Sequence, residues 1–423
     1  MLIEFSVTNY RSFLPPQSLT LTANTSTELQ EENSFISPVS NLPRLLRSAV
    51  VYGPNAAGKS NLIHAIAFMK KFVLSSAKES QEGEKIDATP FLFNRKGSRN
   101  PSEFEVLFIQ DDIRYQYGFA VNSERVTGEW LFAYPESRAQ KWFERNYDPE
   151  TQKDIWYFGP KFTGLRKVWQ EATRSNALFL STAIQLNNEQ LKPVFNWFDR
   201  KLRVITRGEN ISPGFSADEC EKEEKKPKIL KFVNAADPSI ADISLEKKDF
   251  SMDDLPPDLP QNIKETVAKD FKGKKLTRVF FMHPSSDNGE DMPLEFNEES
   301  AGTRKLFALA GLWLNVLDNG LVLFVDELDT SLHPLLVRFL LTLLHNPEAN
   351  RHNAQLIFTT HDTTVLDQTL MRRDQVWFVE KDNENATDLY PLSDYKPRKG
   401  EALQKGYLYG RYGALPFLEE LRF

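Results

Sequence analysis

Gly53-Pro54-Asn55-Ala56-Ala57-Gly58-Lys59-Ser60 is the most informative stretch of this chain. These residues fit the pattern G-x-x-x-x-G-K-[ST] in full. Ahead of them, Arg47 to Tyr52 is a short β-forming run. Behind them, Leu62, Ile63, Ile66, Ala67, Met69 and Val73 recur at helical spacing. Strand, glycine loop and helix, in that order, make a cradle for phosphate. The loop's backbone N–H groups must converge on the anion, so the chain has to wrap tightly. Gly53 and Gly58 permit the wrap and the close approach. The helix that starts near Lys59 adds the positive end of its dipole. In such a loop the lysine, here Lys59, reaches the β- and γ-phosphates, and the hydroxyl, here Ser60, is a ligand for Mg²⁺.

The cradle needs a carboxylate partner. Leu321-Val322-Leu323-Phe324-Val325 is a five-residue apolar run followed by Asp326-Glu327. Such a run predicts a central parallel strand buried on both faces. Asp326 is then placed to hold Mg²⁺, and Glu327 to polarise the attacking water as general base. A second apolar strand, Gln355 to Thr360, ends at His361-Asp362. Ligands bind at the carboxyl ends of strands in open α/β sheets, which makes His361 a third candidate.

Outward from these motifs, Leu2 to Thr8 alternates as a strand, and Leu19 to Thr22 reads as a second. Residues 24–43 are polar and read as loop. Phe104 to Ile109 and Tyr115 to Ala120 flank Asp111-Asp112 as a hairpin, and residues 163–206 carry helical patterns. The charge-dense stretch 216–230 and the stretch 245–276, with Pro256, Pro257 and Pro260, resemble solvated insertions or linkers. Gln375 to Glu380 and Thr387 to Leu392 read as a last pair of strands.

The composition bounds the rest. The chain has 423 residues, 40% hydrophobic and with 31 Phe, enough for a buried core of two or three domains. Its net charge is −7, so there is no chain-wide basic footprint for nucleic acid. Cys220 is the single cysteine, which excludes an internal disulfide framework. Neither a signal-peptide pattern nor a long apolar span stands out, so a cytoplasmic protein without membrane partners is expected. One local exception is residues 396–411, with five cations, one Glu and interleaved tyrosines. This stretch either packs on its own domain or meets nucleic acid or a partner.

Together the motifs resemble the ABC-type ATPases of the SMC, RecF and OLD group. They look most like the short AAA ATPases of prokaryotic anti-phage, abortive-infection operons. Asn9-Tyr10-Arg11-Ser12-Phe13 resembles the N-F-R-S element, which implies that Arg11 and Ser12 approach the nucleotide. Asn55-Ala56-Ala57-Gly58-Lys59-Ser60-Asn61 resembles the family's Walker A variant, and Asp326-Glu327 its Walker B pair. Leu328 to Pro334 resembles the D-loop and its L-H-P continuation. His361 resembles the switch histidine that senses the γ-phosphate. Ser300-Ala301-Gly302-Thr303 stands where the signature is expected, as S-x-G-T in place of the transporters' S-G-G-Q. By itself that tetrapeptide also reads as an ordinary helix cap. For the Q-loop, Gln110 and Gln140 both fit and neither is assigned.

The resemblance implies an α/β fold: an ABC-type P-loop ATPase head with a mixed β-sheet core and an antiparallel β lobe, plus a helical insertion. Three segments follow. Residues 1–162 hold the P-loop and the β lobe, 163–276 a mainly helical insertion or lid, and 277–423 the signature, Walker B, D-loop and switch histidine. The implied cofactors are ATP and Mg²⁺. In this family two ATPs are sandwiched in a head-to-tail dimer. One copy of each motif therefore implies a homodimer or a higher assembly. Relatives of the OLD type continue into a nuclease, but only 62 residues follow His361. The expectation is an ATP-hydrolysing switch with no fused nuclease, controlling a separate nuclease or toxin-like effector in anti-phage defence. The alternative is a RecF-like ATPase of DNA repair, with nucleic acid as its partner.

Overall fold

Val322–Val325 is buried at every residue and becomes an interior strand. It pairs in parallel with Leu202–Ile205 on one side and with Gln355–Thr359 on the other. Gln355–Thr359 pairs in parallel with Ser48–Tyr52, which pairs in parallel with Val376–Lys381. Thr387–Pro391 closes the edge antiparallel, giving a six-stranded mixed sheet. Strands covered on both faces need unbroken apolar runs, and these sequences supply them. Because the strands run parallel, Glu327, His361 and the P-loop emerge at the same edge. In this computed structural model the described residues are 1–79, 81–94, 97–136, 138–206, 212–249, 260–261, 263–264, 275–285 and 291–416.

The chain divides into two compact units. The first comprises Met1–Glu209, Val316–Asp329 and Leu340–Phe423. Besides the mixed sheet it holds a seven-stranded antiparallel sheet. That sheet runs Lys153–Phe158, Gln140–Asp148, Val126–Tyr134, Ile113–Val121, Ser102–Gln110, Leu2–Thr8, Gln17–Thr20. The Asp111-Asp112 hairpin forms as its residues demand: both sit at positive φ, 51° and 58°, as a two-residue primed turn requires. One apolar cluster joins the two sheets. It takes Phe5, Val7, Phe104 and Phe108 from the antiparallel sheet, and Ala49, Val51, Phe324 and Ile357 from the mixed sheet. Leu62, Ile66, Met69 and Val73 of the Lys59–Ser75 helix complete it. The helical part of 166–201 is tied to the lobe by Glu129, which is fully buried. Its carboxylate accepts from the N–H groups of Phe179 (2.6 Å) and Leu180 (3.0 Å) at the start of the Phe179–Gln185 helix.

The second unit comprises Asn210–Asn315 and Thr330–Phe339. It contains the helices Pro213–Cys220 and Lys226–Val233 and a three-stranded antiparallel sheet of Asp242–Asp249, Lys275–His283 and Met292–Glu295.

Three stretches differ from the sequence reading. Residues 24–43 include a short helix, Gln30–Asn33, and a two-residue strand, Ser34–Phe35. The helical stretch 163–206 ends in the strand Leu202–Ile205, where Val204 and Ile205 suit an extended backbone. Residues 216–230 hold parts of two helices, Pro213–Cys220 and Lys226–Val233, joined by a turn, instead of linker. Ile229, Phe232 and Val233 fall on one buried face, while Glu219 pairs with Lys222 and Lys225, so the charges neutralise one another at the surface. Pro256 and Pro257 lie outside the described residues, as do residues 417–423.

Candidate active site

Tyr52 ends its strand, and Gly53 to Gly58 turn the chain back into the 17-residue helix Lys59–Ser75. The two glycines are needed for different reasons. A Cβ at Gly53 would run into the carbonyl and side chain of Val379. Gly58 sits at φ +117°, and a Cβ there would strike Thr387. Ala57 and Lys59 are buried beside it, while Asn55 and Ala56 are exposed at the rim. The Lys59 Nζ donates to the carbonyls of Gly53 (2.7 Å) and Pro54 (3.1 Å), across the mouth of the loop.

A cavity of about 550 Å³ opens here, lined by Pro54, Asn55, Ala56, Gly58, Lys59, Ser60, Asn61, Glu327 and His361. Its size suits a nucleotide-sized ligand. Eight candidates read from three separate parts of the sequence thus meet in one cleft. Gly53 and Ala57 shape the loop without lining the cleft.

The Asp-Glu pair is held by a residue outside every motif. Thr359 Oγ1 donates to Asp326 Oδ1 (2.6 Å) and accepts from the Glu327 N–H (2.7 Å). The Leu328 N–H donates to the Thr359 carbonyl (3.1 Å). These bonds hold Glu327 at φ 50°, a left-handed conformation that costs a non-glycine residue about 1–3 kcal/mol. The strain lies at the residue that faces the cleft, as it commonly does at working sites.

Asp326 also carries the test for a metal. Its Oδ2 is buried with no hydrogen-bond partner among the described residues. An unpaired buried carboxylate oxygen is costly, at least ~1–3 kcal/mol, and a cation relieves it. With the Ser60 hydroxyl in the cleft wall, the donors are hard oxygens of the kind Mg²⁺ takes. The residues fit the ion.

His361 is exposed, with its backbone N–H directed at Asp329 Oδ2 (3.3 Å). The Tyr52 hydroxyl donates to the Asp362 carbonyl (2.8 Å), so the P-loop strand and the histidine loop are bonded to each other. Burial raises the Tyr52 phenol well above its usual range and keeps it a donor.

Ser12 and Arg11 stand behind and beside the cleft. Ser12 is buried and accepts from Asn61 Nδ2 (2.8 Å). Thr387 Oγ1 lies 2.7 Å from both Ser12 Oγ and the Ala57 carbonyl. A carbonyl only accepts, so the Thr387 proton goes to Ala57 and Ser12 donates to Thr387. Arg11 is exposed, its guanidinium 5.6 Å from the Tyr10 ring, and does not line the cleft. Ser300, Gly302 and Thr303 belong to the second unit. There Ser300 Oγ accepts from the Thr303 N–H (3.1 Å) and caps the Ala301–Asn319 helix.

Sequence reading missed Thr359 and Thr387. The first had a faint signal: a hydroxyl at the end of an apolar strand next to the Asp-Glu strand. The second had none, because it lies 330 positions from the carbonyl it holds.

A mixed α/β sheet with a P-loop and an Asp-Glu pair at one edge defines a P-loop ATPase. The particular family follows from its sequence model, described as "AAA domain, putative AbiEii toxin, Type IV TA system", which matches residues 48–367. The chain belongs to that family. No curated protein matches it. Among solved structures it is similar to the SMC head domain from Thermotoga maritima, at 14% identity and TM-score 0.39, covering 92% of this chain and 98% of that one. An SMC head bound to the C-winged helix domain of ScpA is similar at 11% identity and TM-score 0.42, covering 92% and 97%. The recombination mediator protein RecF with ATP, of the RecFOR pathway, is similar at 14% identity and TM-score 0.36, covering 92% and 99%.

Among the described residues no helix is long and apolar enough to cross a membrane.

Proposed function

We propose that this protein is an ATP-driven switch of the cytoplasm that dimerises around ATP and controls a separate effector, nuclease or toxin-like, in prokaryotic anti-phage defence. The observation that carries the reading is the single cleft in which the P-loop residues meet Glu327 and His361. Lys59 and the loop N–H groups bind the phosphates, with the helix dipole behind them. Ser60 and Asp326 would hold Mg²⁺, which neutralises phosphate charge when bound. Glu327 accepts the proton of the attacking water, and His361 senses the γ-phosphate by hydrogen bonding. Arg11 and Ser12, in the turn after the N-terminal strand, approach the nucleotide from beside and behind the cleft in this reading.

Ser300, Gly302 and Thr303 of a second copy close over the γ-phosphate, so two ATPs hold the dimer shut and hydrolysis releases it. Segments 1–162 and 277–423 make the head in this reading, together with the strand Leu202–Ile205, and the rest of 163–276 acts as a lid. In this reading the output passes to another protein. The family's name, which refers to a toxin system, supports the defence role.

Glu327→Gln tests the chemistry. Hydrolysis is expected to fall at least ~100-fold while ATP affinity holds, since a general base contributes ~10²–10⁴-fold to rate. Unchanged turnover overturns the assignment.

A further inference from the structure

The C-terminal layer, residues 376–414, braces the nucleotide loop with its inner face. Val379 backs Gly53, Thr387 holds the Ala57 carbonyl, and the Tyr407 ring lies 5.6 Å from that of Tyr52. Its exposed charges separate along the chain: Asp382, Glu384, Asp388 and Asp394 come first, and residues 396–411 are basic. Lys396, Arg398, Lys399, Lys405 and Arg411 are all exposed, on a chain whose net charge is −7. Among the described residues only Arg411 of these five forms an ion pair, with Glu401 at 2.6 Å. Arg398, Lys399 and Arg411 share the rim of a concavity of about 420 Å³.

Apolar side chains stand in the same segment. Tyr409 is 87% exposed and Leu408 55%, although Tyr407 and Tyr412 are buried. Of these three tyrosines, Tyr407 and Tyr412 pack on their own unit and Tyr409 projects outward. Arginine and tyrosine are residue types enriched at protein-contact hot spots, and Leu408 adds apolar area beside them. A leucine has no π-face on which a base could stack, so the pair favours a peptide over nucleic acid.

The basic loop is bonded to the histidine loop. Gln368 Nε2 donates to the carbonyls of Arg398 (3.0 Å) and Glu401 (3.1 Å), and Gln368 Oε1 accepts from the Gly400 N–H (2.9 Å). Gln404 Nε2 donates to Thr363 Oγ1 (3.0 Å), two residues beyond His361. A change at Arg398–Glu401 therefore reaches the segment after His361 through Gln368, and one at the Leu403–Leu408 helix through Gln404.

We propose that this surface docks an acidic segment of a partner protein, anchored by an apolar residue against Leu408 and Tyr409, and that Gln368 transmits its docking to the nucleotide site. The proposal rests on the switch reading and gives the partner its place. The acid groups meet Arg398, Lys399 and Arg411, and the charge attraction sets the encounter.

The test uses the full chain and a fluorescent peptide of repeated Glu-Glu-Leu-Tyr, with a thymidine 20-mer and poly-glutamate as controls. Anisotropy is expected to show peptide binding that weakens at least tenfold in R398E/K399E and severalfold in L408S/Y409S, with thermal melts unchanged. Saturating peptide is expected to shift ATP turnover at least twofold, and Gln368→Ala to abolish that shift while peptide still binds. Binding of the 20-mer but not the peptide overturns the proposal, as does peptide binding indifferent to R398E/K399E. Poly-glutamate binding as tightly as the peptide removes the apolar anchor and overturns it as well. The two readings fail separately. Normal ATP turnover without peptide binding sinks the docking surface alone. Peptide binding lost in R398E/K399E, on a chain that never hydrolyses ATP, sinks the switch and leaves the docking surface standing.

Discussion

The front and the back of the P-loop are built on different principles. The front faces the cleft with Lys59, Ser60, Asn61, Glu327 and His361, groups chosen for charge and reactivity. The back is packed by Thr387, Ser12 and Val379, and further down the strand by His345 and Gln375, which all but fix the backbone. Ser48, the first residue of the P-loop strand, lies 2.8 Å from His345 Nε2 and accepts from Gln375 Nε2 at 2.8 Å. Chemistry at the front therefore depends on a loop whose shape is dictated from behind, by side chains such as Thr387 and Val379 that lie hundreds of positions away.

The largest effect is expected at the front. Lys59→Ala removes a charge-assisted donor aimed at phosphate and should weaken ATP binding by about 100-fold or more, a loss of ~3 kcal/mol. Titration with a fluorescent ATP analogue reads it. A change below threefold would mean that the loop N–H groups suffice and that the front is less charged in its action than described.

The back has a pH signature. Burial lowers the His345 imidazole from 6.5 to about 3, so it stays neutral in the fold while the unfolded chain binds a proton. Stability is then complete above pH 6.5 and falls as pH drops from 6.5 toward 3, because the unfolded state takes up the proton first. Between pH 7 and 5 the group should account for about 2 kcal/mol of lost stability, at ~1.4 kcal/mol per unit. Urea unfolding at both pH values, with His345→Gln as the flattened control, measures it. A variant with the same acid slope as the parent assigns the loss to other groups.

A smaller effect tests the support of the loop directly. Thr387→Val keeps the shape but leaves the buried Ala57 carbonyl without its donor, a cost of ~1–2 kcal/mol. ATP affinity should fall about tenfold, with the hydrolysis rate at saturation little changed. A loss confined to the rate would place Thr387 in the chemistry and dissolve the contrast between front and back.

The same division governs what could be read in the sequence. Lys59, Ser60, Asp326 and Glu327 lie in local patterns whose spacing is set by the loop and strand they occupy, so composition and order suffice. The strands Ser48–Tyr52, Val322–Val325 and Gln355–Thr359 were legible because double-sided burial demands unbroken apolar residues. Thr359 and Thr387 were not, since a threonine in a strand looks alike whether it holds a carboxylate or nothing. The helices of 213–233 were obscured by their charges, which mask a narrow buried face at Ile229, Phe232 and Val233. The 396–411 tail was legible in charge but not in its folding: Tyr412 donates to Glu401 (2.6 Å) and the Ala414 N–H to Glu380 (2.9 Å), contacts that no spacing announces.

ATP is proposed to join two copies of this chain. Light scattering of Glu327→Gln, with and without ATP and Mg²⁺, tests it most directly. The expected mass is that of one chain without nucleotide and of two with it, and the shift is lost when Lys59→Ala is added. A mass that stays at one chain with ATP bound would contradict it.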